Sequence, residues 1–445
     1  MIDETSFASD VADELGLTQS AYAEDVTGKV NLSSTAYAED VADAINEQPI
    51  VDPDLEGVVV KFLHLSDPHG YDTPLIAAKS VLDDDNDLNH VFITGDMTKY
   101  SYNAGFLPDF TTAMNALGDK LLMLAGNHDS YDNNWGNDSN WGTNGISQAN
   151  TTGFLKSKLG NRVTWGDQNN VASYWHKDIQ ISETSKLRII ALDQYEIDAV
   201  RNPGRYTYFT MYSQAQINWL IARLEELSAS DYIIIALHES PVQSPSMPDS
   251  YAVGLVDANN PRKLFVSENL KEFGNRMDNG VAREPQLSLL PRILKAYIHK
   301  ETLTMTYNNY GGGSTPDITI NKTFSGTPAS FLFWLCGHMH CDIVDYIPNE
   351  SALNYGGEYG DDWSDQLLID ITAADTRVNW ASEDDLGGYV NDNPPANPPQ
   401  NDYTYRLNKV TLDFGKKTIR IDRIGACNTA GGRVRNTITF PFKKQ

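Results

Sequence analysis

The chain has 445 residues, of which 40% are hydrophobic and 10% aromatic, so it can bury a large core and form more than one structural unit. Its formal net charge is −26, and no basic stripe offsets this charge locally. Because such a surface repels phosphate backbones, the composition disfavours a protein that binds long nucleic acids.

Cysteine usage and hydropathy indicate the compartment. The three cysteines, Cys336, Cys341 and Cys427, include no CxxC pair, which argues against a disulfide framework. Residues 1–50 show no basic start followed by an apolar stretch, and no apolar run is long enough to span a membrane. We therefore expect synthesis in the cytoplasm without a signal peptide, and no membrane insertion.

Residues 1–48 contain three copies of a 15-residue unit, each predicted to form a short amphipathic helix. Within each unit an aromatic residue, a valine and an aliphatic residue lie four residues apart, as on one face of a helix. The aromatic residues of the three units are Phe7, Tyr22 and Tyr37, and the valines are Val11, Val26 and Val41. Because such helices bury little alone, we expect the segment to bind another protein or to self-assemble. The alternative is a helical cap on the domain that follows the linker at residues 49–57.

From residue 58 the pattern changes to alternating strands and helices. Nearly continuous apolar runs predict strands covered on both faces at residues 58–65, 91–94, 121–125, 187–192, 232–237 and 331–335. Helical periodicity lies between them at residues 74–82, 107–117, 213–227 and 285–300. The β-rich last part, about 366–445, indicates an antiparallel series at residues 366–371, 405–414, 418–424 and 435–440. This order predicts a layered α/β fold whose C-terminal strands finish the second sheet of a sandwich.

Potential metal ligands directly follow five of the predicted strands. Ligands of α/β sheets gather outside the carboxyl ends of strands, so we expect these side chains to meet. Carboxylates, imidazoles and one amide suit two divalent cations held side by side. The residues are Asp67, His69, Asp96, Asn127, His128, Asp129, His238, His338 and His340.

The order and spelling of these segments resemble the calcineurin-like metallophosphoesterase superfamily over roughly residues 58–345. The segments are Asp67-Pro68-His69, Gly95-Asp96, Gly126-Asn127-His128-Asp129, His238 and Gly337-His338-Met339-His340. The resemblance implies a four-layer α/β/β/α sandwich of two mixed sheets flanked by helices across residues 58–445. The all-α repeat segment would precede it.

The resemblance also assigns roles to the matching residues. One metal ion would be held by Asp67, His69 and His340, a second by Asn127, His238 and His338, and Asp96 would bridge the two. His128 would be the catalytic histidine, and Asp129 would orient its imidazole. Asn127 and His128 would also contact the substrate.

The implied activity is metal-dependent hydrolysis of phosphate esters, with phosphodiesters favoured. Two divalent ions (Mn, Fe, Zn or Ni, from their mixed O/N ligands) would share a hydroxide that attacks phosphorus. His128 would assist the leaving group by protonating it.

The segment after the catalytic histidine indicates a substrate class. Residues 131–145 repeat an Asn-Trp-Gly triplet around Trp135 and Trp141. Tryptophan faces and amide groups can stack on and hydrogen-bond sugars or polyols, so the substrate is expected to be a glycerol-phosphate or teichoic-acid-type cell-wall polymer. The alternative is a surface loop held by its own tryptophan packing.

The architecture as a whole leaves three hypotheses open. Helical repeats joined to such an enzyme favour a virion protein, for example of a phage tail, that cuts host envelope polymer. The second hypothesis is an intracellular phosphomonoesterase or cyclic-nucleotide phosphodiesterase. The third is a structural or adhesion protein that retains the fold for binding.

Overall fold

The computed structural model describes residues 53–68, 70–97, 108–126, 129, 148–167, 172–196, 212–238, 285–307, 317–337, 343–346, 369–372, 406–425 and 437–442. The predicted repeats at residues 1–48 lie outside these ranges. The described residues fall into two units, one of Pro53–Glu56 with Gly415–Lys417 and a second of those within Gly57–Phe414 and Thr418–Gln445. In the first unit, the 3-10 turn Pro53–Leu55 approaches Gly415, where an added Cβ would lie 2.7 Å from the Leu55 carbonyl oxygen.

Helices and strands alternate in the second unit as the sequence predicts. The strands are β1 (Val59–Leu65), β2 (Leu88–Ile93), β3 (Leu121–Met123), β4 (Thr164–Trp165), β5 (Trp175–Gln180), β6 (Lys186–Ala191), β7 (Tyr232–Ala236), β8 (Thr302–Tyr307), β9 (Ile318–Thr323), β10 (Ser330–Cys336), β11 (Ile343–Tyr346), β12 (Ile369–Thr372), β13 (Arg406–Asp413), β14 (Thr418–Gly425) and β15 (Thr437–Pro441). The helices are α1 (Thr73–Asp84), α2 (Pro108–Ala116), α3 (Gln148–Leu159), α4 (Gln214–Glu225) and α5 (Pro285–His299).

Both large sheets are mixed. Sheet one has the order β15-β14-β13-β1-β2-β3, with β1, β2 and β3 parallel and the other three strands antiparallel. Sheet two has the order β11-β12-β10-β7-β6-β5-β4, with β12, β10, β7 and β6 parallel. Strands β8 and β9 form a separate antiparallel pair.

The C-terminal strands differ from the prediction. Strands β13, β14 and β15 extend sheet one instead of finishing sheet two, because β13 pairs antiparallel with the open edge of β1 from Val59↔Asp413 to His64↔Asn408. Strand β12 does join sheet two, but it runs parallel to β10. Apolar patterning predicts that a segment is a strand, whereas its pairing partner depends on which edge the folded sheets leave open.

The two sheets pack face to face with helices outside them, which confirms the four-layer sandwich. Phe92 of β2 stacks on Trp175 of β5 with ring centroids 5.8 Å apart, and the Trp175 indole donates to the Met123 carbonyl at 3.2 Å. Helix α1 packs on β13 and α2, and α3 packs on β3, outside sheet one. Helices α4 and α5 share a buried apolar cluster with β6, β7 and β10 outside sheet two.

Helix α4 shows how local sequence sets this packing. Ser213 is its N-cap, and its hydroxyl accepts the Gln216 N–H at 3.0 Å. The buried residues on this helix are Gln216, Ile217, Leu220, Ile221 and Leu224, which form one helical face. Among the described residues, no helix combines the length and apolar character needed to cross a bilayer.

Candidate metal centre

Strand ends from both sheets converge at one place. In sheet one, the Asp67 N–H after β1 donates to the Gly95 carbonyl after β2 at 3.1 Å. The Thr94 hydroxyl donates to the Cys336 carbonyl at the end of β10, at 3.0 Å. The Thr94 carbonyl accepts a hydrogen bond from the His238 ring after β7, at 2.7 Å. The carboxyl ends of β1, β2, β7 and β10 therefore surround one small volume, where ligands of α/β folds are expected.

Three predicted ligands meet in this volume. Asp67, Asp96 and His238 offer ligand atoms that lie within 4.8 Å of one another, and all three side chains are 0% exposed. His238 Nε2 lies 3.3 Å from Asp96 Oδ2 and 3.9 Å from Asp67 Oδ1. Two carboxylates buried side by side are costly without compensating positive charge. A divalent cation would supply that charge, and its usual O and N donors are present, so these residues fit a metal ion.

The hydrogen bonding of His238 suits a metal ligand. Its Nδ1 donates to the Thr94 carbonyl, so Nε2 faces the two carboxylates. Burial lowers the pKa of His238, but the charges of Asp96 and Asp67 and the Thr94 carbonyl outweigh burial and raise this pKa to about 10. Without a metal ion the ring is therefore an imidazolium at neutral pH, and a metal ion that binds Nε2 would displace its proton.

The two carboxylates leave their strands in an unusual backbone conformation. Asp67 has a φ of 53° and Asp96 a φ of 49°, both in the left-handed region. Aspartate tolerates this region better than most residues, and such positions cluster at functional sites. The sharp turn directly after each strand brings both carboxylates to the same point.

Three glycines of the motifs leave room for these ligands. A Cβ at Gly126 would collide with the Asp96 carboxylate and backbone N, and one at Gly337 would collide with the Ser66 hydroxyl and lie 3.0 Å from Asp67 Oδ2. At Gly95, which has a φ of 102°, a Cβ would meet His238 Nδ1 and lie 2.8 Å from the backbone N of Gly126. The site therefore requires glycine at all three positions.

Asp129 closes the turn that carries the predicted catalytic segment. Its Oδ2 accepts the Gly126 N–H at 2.8 Å, and its own N–H donates to the Gly126 carbonyl at 3.3 Å. Asp129 is fully buried, and its carbonyl accepts the Thr151 hydroxyl at 3.4 Å. These contacts fix the ends of the segment, and the orientation of His128 by Asp129 stays a prediction.

The remaining predicted site residues lie outside the described residues. They are the ligands His69, Asn127, His338 and His340, the catalytic His128, and the substrate residues Trp135 and Trp141. Their described neighbours lie at the converging strand ends: the Gly70 N–H donates to the Met97 carbonyl at 2.7 Å, and the Gly337 N–H to the His238 carbonyl at 2.7 Å. Their roles stay predictions.

Two buried polar residues beside the site, His64 and Thr94, belong to none of the ligand motifs. His64 lies in β1 with its Nε2 2.9 Å from the Thr94 hydroxyl, and both residues are fully buried. A histidine near the end of β1 and a threonine directly after β2, each next to apolar residues and just before a ligand motif, are the sequence signal for this pair. A buried polar group requires a partner.

A second group of carboxylates, one buried and one half-buried, follows β6. Asp193 accepts the backbone N–H and the hydroxyl of Ser173, at 2.9 and 2.8 Å. Glu196 accepts the Ser213 N–H and hydroxyl and the Gln216 amide, at 2.7–2.9 Å. Burial, aided by the charge of Asp193, raises the pKa of Glu196 to about 7, although its hydrogen-bond donors oppose the shift. With these donors, the group ties the end of β6 to the start of α4.

Fold and site together define a protein of the metallophosphoesterase class: two packed mixed sheets with buried carboxylates and an imidazole at their converging strand ends. Residues 60–271 match the family model of the calcineurin-like phosphoesterases, which identifies a calcineurin-like phosphoesterase domain in that part of the chain. The superfamily expected from the motifs is thereby confirmed. No curated protein sequence matches the chain.

Several solved structures are similar to the chain at low identity. A purple acid phosphatase from yellow lupin (Lupinus luteus) seeds is 12% identical with a TM-score of 0.39; the match covers 87% of this chain and 54% of that one, so the chain spans about half its length. GAP50, the anchor in the inner membrane complex of Plasmodium, is 11% identical, with a TM-score of 0.39 and coverages of 87% and 90%. A predicted phosphoesterase from Streptococcus pneumoniae is 9% identical, with a TM-score of 0.27 and coverages of 86% and 98%. Because these identities and TM-scores are low, the structural similarities are not used to assign the family.

Proposed function

We propose that the chain is a metal-dependent phosphoesterase that hydrolyses phosphodiesters. The observation that carries the proposal is the buried group of Asp67, Asp96 and His238, whose ligand atoms lie within 4.8 Å of one another at strand ends of both sheets. When bound, a pair of divalent cations lowers the pKa of a shared water and neutralises charge on phosphoryl oxygens.

The residues around the metal position have separate roles in the proposed reaction. Asp96 lies 3.3 Å from His238 and is the carboxylate proposed to bridge, because its two oxygens can serve two ions. Gly126 and Asp129, which flank Asn127 and His128 in the sequence, are joined by two hydrogen bonds. In this proposal His128 protonates the leaving oxygen, and the catalytic segment needs no covalent intermediate on the protein.

The first experiment compares hydrolysis of bis-p-nitrophenyl phosphate and p-nitrophenyl phosphate by the full chain with added Mn²⁺. We expect preference for the diester and a loss of about 100-fold or more in kcat for His128→Ala, the range of a lost general acid. His299→Ala is the matched control, since His299 is exposed at the end of α5. Preference for the monoester would favour the intracellular phosphomonoesterase, and inactivity on both substrates with bound metal would favour a binding protein.

The natural substrate is proposed to be a glycerol-phosphate polymer of teichoic-acid type. The support is the sequence of residues 131–145, where Trp135 and Trp141 recur with asparagine and glycine directly after the catalytic segment. The double variant Trp135→Ala/Trp141→Ala should raise KM for the polymer and leave bis-p-nitrophenyl phosphate hydrolysis unchanged. Trp165→Ala, on strand β4, is the matched control. Equal effects on both substrates would contradict the proposal.

A role in a virion is proposed for the N-terminal repeats. The support is the 15-residue periodicity of residues 1–48, whose short apolar faces require a partner or copies of themselves. Deleting residues 1–48 should lower the mass of the assembled protein in light scattering while kcat stays unchanged. An unchanged mass, together with unchanged incorporation into particles, would exclude this role.

A further inference from the structure

A buried chain of hydrogen bonds lies beside the metal position and joins residues that are not proposed as metal ligands. It runs from the ring of His64 in β1 to the hydroxyl of Thr94 after β2 and on to the carbonyl of Cys336 in β10, over 2.9 and 3.0 Å. All three residues are 0% exposed. Thr94 belongs to sheet one and Cys336 to sheet two, so the chain joins the two sheets.

The proton positions in this chain follow from its geometry. The Cys336 carbonyl can only accept, so the Thr94 hydroxyl gives it its single proton. The same oxygen can then only accept from His64, which must carry its proton on Nε2. The Thr94 carbonyl likewise accepts from His238, so Nδ1 of that ring carries a proton whether or not Nε2 does. One threonine therefore fixes the position of a proton on each of two histidines, one of which is a proposed metal ligand.

Thr94 and its partners also lie next to the ligands of both sheets. Thr94 precedes Gly95-Asp96 directly, and Cys336 precedes Gly337-His338 directly. The contact between Thr94 and Cys336 thus sets the distance between the carboxylate proposed to bridge and the strand that leads to His338 and His340. Because this contact is buried, water cannot replace the hydroxyl without a shift of the strands.

We propose that His64 and Thr94 form a positioning clamp that holds the metal ligands of the two sheets at their binding separation. This inference rests on the proposed metal centre. The clamp contacts neither substrate nor metal, and it acts through His238, Asp96 and the segment after Cys336. Loss of such a supporting hydrogen bond typically lowers metal affinity or activity about 10–100-fold.

The test uses the full chain, stripped of metal and titrated with Mn²⁺ by calorimetry. Thr94→Val keeps the shape and removes the hydroxyl, and should lower Mn²⁺ affinity about 10–100-fold. Thr94→Ser keeps the hydroxyl and should retain affinity. The matched control is Thr152→Val in α3, which is fully buried and whose hydroxyl has no partner among the described residues, so affinity should not change.

A merely structural role would lower the thermal midpoint in EDTA and leave the Mn²⁺ affinity of the folded protein unchanged. Wild-type affinity in folded Thr94→Val would therefore overturn the clamp while leaving the proposed function intact. If Thr94→Val does not fold, His64→Gln and His64→Leu give the same comparison, because glutamine can still donate to the Thr94 hydroxyl and leucine cannot. Equal affinity in these two variants would also overturn it. A wild-type chain that binds neither Mn²⁺ nor Zn²⁺ would overturn the proposed function and the clamp together.

Discussion

His238 Nε2 lies 3.3 Å from Asp96 Oδ2 in a site where neither side chain is exposed. The charge of Asp96 is the largest of the causes that raise the pKa of His238. The two residues therefore form a buried ion pair without metal, and in the proposed metal centre they would be two ligands of different charge. Both the ion pair and the proposed metal ligation depend on the carboxylate of Asp96.

Asp96→Asn should abolish tight metal binding. The amide keeps the shape of the side chain but cannot supply the negative charge that a bridging ligand needs, so Mn²⁺ affinity should fall at least about 100-fold, as for a lost ligand or its support. Metal content after gel filtration measures the loss. The matched control is Asp83→Asn, whose carboxylate is 62% exposed beside Lys79 and should not affect binding. Normal metal content in Asp96→Asn would contradict the site.

Chelation should destabilise the protein. A metal that binds only the folded chain adds about 2.7 kcal/mol at a concentration of about 100 times its Kd, so EDTA should lower the thermal midpoint and excess Mn²⁺ should restore it. Differential scanning calorimetry measures both steps. Asp96→Asn serves as the reference, because its midpoint should respond to neither addition. A midpoint of the wild-type chain that is independent of metal would argue against any tight site.

Two glycine substitutions should have opposite effects. Gly337→Ala places a methyl group against Ser66 and Asp67, and should destabilise the fold by ~1–3 kcal/mol, as overpacking does, and weaken Mn²⁺ binding. Gly153→Ala lies in α3 with nothing within 4 Å, and should stabilise the helix by ~0.5–1 kcal/mol without changing binding. Urea denaturation and calorimetry measure the two quantities. Similar effects from both substitutions would show that strand-end crowding does not matter.

Glu196 should make stability depend on pH. Its folded-state pKa of about 7 lies above the ordinary value of 4.5, so the folded state binds its proton more tightly than the unfolded state. The contribution of Glu196 to stability is therefore greatest below pH 4.5 and is lost as the pH rises through 7. Between pH 5 and 7.5 the free energy of unfolding of the wild-type chain should fall by ~2 kcal/mol relative to Glu196→Gln. Urea titrations of both proteins at the two pH values measure the difference, and parallel pH profiles would contradict it.

The sequence by itself determined the order of most elements and singled out the candidate ligands of the site. Apolar runs such as Tyr232–Ala236 predict strands covered on both faces, and Ser213 with the apolar face after it predicts the start of a helix. Asp67, Asp96 and His238 could be singled out because each directly follows such a run and belongs to an ordered set. Local patterning does not predict helix α3, whose apolar spacing is weak. The β8–β9 pair was missed although threonine alternates with apolar or aromatic residues along β8, which is a strand pattern.

Only the tertiary structure decided how the strands pair and what supports the ligands. That β13 joins β1, and that β12 runs parallel to β10, depends on edges that exist only after the sheets form. The contact of Thr94 with Cys336 spans 242 residues of sequence, and no local pattern encodes it. Side-chain periodicity reports burial, which each segment carries in its own sequence, whereas the partner of a buried polar group is set by the packing of the whole chain.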